Sequence, residues 1–172
     1  MSGRRQAGRP DGSGRRRVGR PTIRLAGPAD LEQLVELRLT LLRETGDLRP
    51  GMDEAGLEAA LRAYLAEAVP SGRFVAWVAV ADGRLVATSG MVFFERVPYP
   101  DNPSGLEAYV MNMYTAPAWR RQGLAAILLE RLLDTAKEKG ARRVWLTATD
   151  EGRPLYLRRG FSGGPPELEL RW

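Results

Sequence analysis

The stretch Thr115-Ala-Pro-Ala-Trp-Arg-Arg-Gln-Gly-Leu-Ala-Ala-Ile-Leu-Leu129 decides the fold, because the chain passes there from a strand into a helix through a turn opened by glycine. Upstream, Ala108 to Tyr114 (AYVMNMY) is rich in aromatic and β-branched residues and reads as a strand. Downstream, Leu124 to Lys139 (LAAILLERLLDTAKEK) places apolar residues at helical spacing, with Gly140 in the C-terminal capping position. Gly123 at the junction, followed by the small Ala125 and Ala126, leaves the backbone open. Several N–H groups then converge at the positive end of a helix, where a diphosphate would be held by amide hydrogen bonds and the helix dipole. Arg120 and Arg121 add charge beside it. The stretch is neither a Walker A loop nor a GxGxxG fingerprint, which argues against nucleoside triphosphates and NAD. Taken alone it would be no more than a tight turn with basic neighbours.

Working outward, Phe74 to Val97 (FVAWVAVADGRLVATSGMVFFERV) holds two β-rich runs joined at Asp82-Gly83, a hairpin signal. A polar loop with Pro98, Pro100 and Pro103 separates it from the strand at Ala108. Toward the N-terminus, a short strand at Thr22 to Leu25 ends at Gly27-Pro28-Ala29-Asp30. There glycine caps, proline fits the first helical position and an acid suits the helix start. Helices are predicted from Leu31 to about Thr45-Gly46 and from about Asp53 to Ala68. Beyond Gly140, Arg143 to Ala148 reads as a buried-type strand, Leu155 to Arg159 as a short helix and Glu167 to Trp172 as a final strand. The order β-α-α-β-β-β-α-β-α-β specifies a mixed α/β or α+β layer around one sheet.

At 172 residues the chain has room for one domain. Its longest apolar run, Phe74 to Ala81, is far short of the roughly 18 residues a membrane span needs. Neither histidine nor cysteine occurs. Ser-His-Asp and Cys-His catalysis, histidine bases, disulfides and Cys/His metal sites are therefore excluded, and no metal is expected. Acid-base chemistry is left to Asp, Glu, Tyr, Lys, a terminus or water.

The net charge of +5 is unevenly placed. Residues 1–22 hold seven arginines against Asp11, a balance of +6, whereas the other 150 residues carry 19 basic and 20 acidic side chains. Residues 1–21 thus read as a disordered Arg-rich tail and 22–172 as the domain. The tail could grip phosphates, be an inert solvated arm, or reflect a start codon misassigned upstream of Val18. It lacks the interleaved aromatics that stack on single-stranded bases, so nucleic acid is not an expected partner.

Four features together resemble the GNAT superfamily of acetyl-CoA-dependent N-acetyltransferases. Arg120-Arg121-Gln122-Gly123-Leu124-Ala125 is similar to the family's Arg/Gln-x-x-Gly-x-Gly/Ala pyrophosphate loop, and Leu155-Tyr156-Leu157-Arg158-Arg159-Gly160-Phe161 resembles its Leu-Tyr-x-x-x-Gly-Phe segment. The Ile23-Arg24 strand before Pro28-x-Asp30 matches the usual opening, with the Asp82-Gly83 hairpin between. The resemblance runs from about residue 22 to the end. It implies a single domain with a mixed, mostly antiparallel sheet, splayed central strands and flanking helices. It also implies acetyl-CoA as co-substrate, bound by Met113, Tyr114 and Thr115 on the strand and by Arg120, Arg121, Gln122, Gly123, Leu124, Ala125 and Ala126 on the loop. A bulge around Met111 to Met113 would free a backbone N–H for the acetyl carbonyl.

The resemblance further implies that Tyr156 protonates the departing CoA sulfur; by its pattern alone it could equally be a core aromatic. The base is open. Where histone-type relatives carry a glutamate, eleven positions before the loop, this chain has Tyr109. Glu107 on the same strand face, Glu95 at the end of the preceding strand, and a water chain are the alternatives. Asn112, an amide on an otherwise apolar strand, is either tied to nearby backbone or aimed at the acceptor, and with Tyr109 forms the candidate substrate contact. Asp47, Asp53, Glu54, Glu95, Asp101 and Glu107 would give the acceptor loops an acidic mouth suited to a cationic amine. The expectation is an N-acetyltransferase acting on a small-molecule or peptide amine by direct transfer, cytoplasmic, monomeric or homodimeric. Its rivals are a non-catalytic acyl-CoA-binding module and a protein that docks on nucleic acid through its tail.

Overall fold

The computed structural model describes residues 19–163. The elements run β1 (Thr22–Leu25), α1 (Leu31–Thr45), α2 (Glu54–Ala68), β2 (Phe74–Ala81), β3 (Arg84–Glu95), β4 (Leu106–Thr115), α3 (Leu124–Glu138), β5 (Arg143–Trp145) and α4 (Arg153–Arg158). They form one five-stranded sheet in sequence order, antiparallel from β1 to β4 and parallel between β4 and β5. The parallel step requires a crossover, which α3 supplies. The expected tail and the strand at Glu167 to Trp172 lie outside the described residues.

Local chemistry sets the element ends. Asp82 and Gly83 both take left-handed φ values, 49° and 76°, as a two-residue hairpin turn demands. Pro28–Asp30 forms one 3₁₀ turn ahead of α1. Asp30, 5% exposed, accepts the Gly27 N–H at 2.8 Å and both Arg24 guanidinium nitrogens at 2.7 and 2.8 Å. The acid at the helix start therefore ties β1 to α1 as well as meeting the helix end. Gly46 closes α1 in the left-handed region, and the Asp53 carboxylate accepts the Gly56 N–H at 2.9 Å to start α2.

Helices cover both faces of the sheet. On one, Leu34, Val35 and Leu39 of α1 and Leu65 of α2 bury against Phe74, Ala76 and Val78. On the other, Leu129 and Leu132 of α3 and Tyr156 of α4 bury against Met91, Ala108 and Val110. Trp77 is a packing residue, its indole N–H donating to the Thr135 hydroxyl of α3 at 3.0 Å. One strand is shorter than its sequence suggests, since β5 ends at Trp145 rather than Ala148. Its strand neighbour β4 diverges there, and a buried-type sequence without a ladder partner is not a strand.

Candidate functional site

The divergence of β4 and β5 creates the site. The two strands pair only at Glu107–Arg143, Ala108–Val144 and Tyr109–Trp145. From Val110 to Thr115 the β5-facing edge of β4 has no strand partner among the described residues, so its main-chain donors and acceptors are open to an extended ligand. On the other edge Gly90 pairs with Met111 and Thr88 with Tyr114, which leaves one extra residue in β4. That residue is Asn112, at φ 54°, and the expected bulge is present. The extra residue changes which way the side chains turn. Met111 packs on the α1 side and Tyr114 donates its hydroxyl to Glu44 there at 2.8 Å, while Val110 and Met113 face α3 and α4. Of the expected cofactor contacts on β4, Tyr114 thus has only its main chain to offer the fork.

Past β4, the loop makes an anion nest. Arg121 and Gly123 sit at φ 61° and 80°, and α3 begins at Leu124. The Arg120 N–H donates to the Pro117 carbonyl at 3.3 Å and the Ala126 N–H to the Gly123 carbonyl at 3.1 Å. Between them, the N–H groups of residues 121–125 find no acceptor among the described residues. A Cβ placed on Gly123 would meet nothing within 4 Å, so the space before these amides is empty. Two side chains expected at the cofactor are used to build the loop instead. The Arg120 Nε donates to the Thr115 carbonyl at 2.8 Å and its other end pairs with Glu44, while the Gln122 amide donates to the Ala118 carbonyl at 3.1 Å. Glu44 is therefore a residue that sequence reading missed. It clasps β4 and the loop from α1; burial pushes its carboxyl up, but the Tyr114 hydroxyl and Arg120 outweigh that and hold it below the usual carboxylate value.

Tyr156 reaches the fork from α4. It is 8% exposed, belongs to the core cluster that also holds Val110, Met113 and Leu129, and meets Phe161 edge-to-face with centroids 5.8 Å apart. Its hydroxyl has no hydrogen-bond partner among the described residues. Burial pushes the phenol above its ordinary value, with a smaller push from Tyr109, so it is a fully protonated donor at neutral pH. Tyr109, half-buried, stacks edge-on to Trp145 at 4.6 Å and donates its hydroxyl to Thr147 at 3.2 Å. The Asn112 side-chain carbonyl is buried and receives no hydrogen bond among the described residues, so neighbouring backbone does not satisfy it.

Neither candidate carboxylate is at the fork. Glu107, fully buried, accepts the Tyr99 hydroxyl at 3.0 Å and lies 3.5 Å from Arg96 and 3.6 Å from Arg143. Glu95 is exposed at the end of β3, opposite Leu106. At about 3.3 Å per strand residue, both are roughly 20 Å from Met113. The acidic mouth does not assemble either. Asp53 caps α2, Glu54 pairs with Arg43, Asp47 accepts the Thr45 hydroxyl, and Glu107 sits among arginines. The loop Arg96 to Gly105 folds over the strand end and buries what alternation alone leaves at a rim.

A partnerless strand edge leading to a nest of free amides, with a buried phenol beside it, is a slot for a long acyl carrier ending in a diphosphate. Over residues 38–161 the chain matches the acetyltransferase (GNAT) family. It belongs to that family. A predicted acetyltransferase of Clostridium acetobutylicum, crystallised with acetyl-CoA, superposes with a TM-score of 0.81 at 31% identity, covering 88% of this chain and 96% of that one. A GCN5-related N-acetyltransferase of Ralstonia eutropha gives 0.78 at 28% identity, covering 88% and 98%. Glucosamine-6-phosphate N-acetyltransferase of Arabidopsis thaliana gives 0.68 at 18% identity, covering 90% and 99%, and shows the shared fold alone. Comparison with curated proteins found no match. As a GNAT acetyltransferase the chain is an acyltransferase with acetyl-CoA as its co-substrate. Among its described residues no helix is long and apolar enough to cross a membrane.

Proposed function

We propose that the chain moves the acetyl group of acetyl-CoA to a primary amine of a small molecule or peptide, by direct transfer in a ternary complex. The observation that carries this reading is the combination of three features: the free amides of residues 121–125, the open β4 edge, and the unpartnered Tyr156 hydroxyl on a side chain in the core cluster that Met113 joins. The nest offers the diphosphate amide hydrogen bonds and a helix dipole without using a cationic side chain. Met113 and Thr115 offer main-chain groups to the pantetheine amides, and the bulge at Asn112 offers an N–H to the thioester carbonyl. Holding the thioester there makes attack by a bound amine effectively unimolecular.

Two proton movements accompany transfer. As the C–S bond breaks, the thiolate takes the Tyr156 proton, and the product is the free thiol. The attacking amine gives its excess proton to water, since Glu107 and Glu95 lie along the sheet from the open edge and Glu44 is engaged by Tyr114 and Arg120. Tyr109, fixed by Thr147, lines the acceptor's approach. Glu107 and Glu95 take no part.

The test is CoA release against a panel of amines, with thermal stabilisation by CoA measured alongside. Turnover sustains the proposal. Stabilisation without turnover of any amine would make the chain a binding module, and neither result would remove the acetyl-transfer reading.

A further inference from the structure

Helix α1 turns an unexpected group toward the sheet. Leu34, Val35 and Leu39 are 2–4% exposed, and Arg38 shares their side of the helix, four residues after Leu34 and half-buried. Other arginines near α1 each reach a carboxylate: Arg43 has Glu54, Arg62 has Glu32 and Glu58, Arg84 has Glu36, and Arg120 has Glu44. Arg38 has none within ion-pair distance and makes no side-chain hydrogen bond among the described residues. The charged or titratable groups that act on it are Asp47, which is engaged with Thr45 at 2.7 Å, and Tyr109. Burial pulls its guanidinium below the ordinary value. A guanidinium nevertheless stays charged, so a half-buried cation is kept with no carboxylate in ion-pair contact.

Its place in the fold says what it faces. Glu44, bound to Tyr114, pins the end of α1 to the end of β4. Arg38 is six residues earlier on the helix, about 9 Å back along its axis. Tyr109, whose charge acts on Arg38, is five residues earlier on the strand, and α1 packs on β4, so helix and strand run the same way and Arg38 is on the Tyr109 side of the Glu44–Tyr114 contact. This is the face opposite Tyr156. An amine attacking the thioester from the side away from the departing sulfur's proton donor arrives here. One more buried group without a partner is on this face, the hydroxyl of Thr88, whose strand partners are Tyr114 and the core residue Val78.

We propose that Arg38 binds an anionic group of the acceptor, which is accordingly a small amine carrying a carboxylate or a phosphate. This rests on the acetyl-transfer reading above and sets its substrate class. It also reverses the cationic acceptor that the acidic residues of the loops suggested. The anion desolvates against Arg38 on binding, and the charge-assisted pair offsets a penalty the free protein already carries.

The experiment compares ethanolamine, its phosphate ester 2-aminoethyl phosphate, 3-aminopropanoate and a terminal diamine, at saturating acetyl-CoA. The expected result is a preference, on the order of tenfold or more in kcat/KM, for the anionic members over ethanolamine, with the diamine poorest. Whichever of the phosphate and carboxylate is faster identifies the anion. Arg38→Gln should raise KM for the anionic amines on the order of tenfold while holding kcat and the KM for acetyl-CoA, and Arg38→Lys should recover part of it. Preference for ethanolamine or the diamine overturns the inference, as does an equal loss by Arg38→Gln on every amine. If no amine is acetylated the transfer reading falls separately. Calorimetry with 2-aminoethyl phosphate and 3-aminopropanoate then decides Arg38: binding to the wild type and not to Arg38→Gln sustains its role, and no difference removes it.

Discussion

The two ends of β4 are built on opposite terms. At the Glu107 end the strand has neighbours on both edges, and its buried carboxylate is enclosed by Tyr99, Arg96 and Arg143. At the Tyr114 end one edge is bare and a bulge breaks the ladder on the other; buried polar atoms without hydrogen-bond partners occur at both ends, in Thr88, Ser89 and Asn112 here and in Glu107 and Trp145 there. One end closes both of its main-chain edges within the sheet, and the other leaves one edge open for a ligand. An unpaired buried group costs about 1–3 kcal/mol, and the two cores offset that cost at both ends.

The sharpest way to break this contrast is at Tyr156. Tyr156→Phe should lower kcat by about 10²–10⁴-fold with little change in the KM for acetyl-CoA, since the hydroxyl acts on the departing thiolate and not on the bound thioester. Next comes the nest. In Gly123→Val the Cβ meets no atom within 4 Å, but a β-branched side chain is placed at φ 80° beside the free amides. CoA affinity by calorimetry on the folded variant should fall about 10- to 100-fold, equivalent to one charge-assisted hydrogen bond, while backbone strain of about 1–3 kcal/mol lowers Tm by several degrees. The closed end should answer the other way. Glu107→Ala should cost about 1–3 kcal/mol in denaturant unfolding yet keep the turnover of the folded fraction. The smallest effect is expected from the basic segment: a chain beginning at Arg20 should show the same steady-state constants. A rise in KM for acetyl-CoA at low salt alone would instead show the arginines capturing its phosphates.

The two ends also differ in how far sequence reveals them. The hairpin at Asp82-Gly83 and both ends of α1 follow from residues that punctuate the chain locally, and there structure and sequence agree. The nest was legible because its parts, Arg121 to Ala125, are contiguous. Glu44 and Arg38 were not, because their roles depend on α1 lying along a strand some 70 positions away, as Glu44 and Tyr114 are. Glu107 misled for the same reason in reverse. Period-two alternation places it correctly on a face, but the covering loop that buries it leaves no trace in the strand's own pattern.

Burial of Tyr156 has a consequence for when the protein can work. Acetyl transfer needs two groups in opposite states at once, an acceptor amine that has lost its proton and a phenol that has kept one. The productive interval therefore opens at the amine's pKa and closes at the phenol's. By raising the phenol above its ordinary value, desolvation moves the closing edge upward, away from neutrality. With no histidine or cysteine in the chain, no other side chain is ordinarily expected to change charge between about pH 5 and 8. The ascending limb of a kcat/KM profile thus becomes a titration of the substrate itself, and it should slide along the pH axis as one acceptor is exchanged for another.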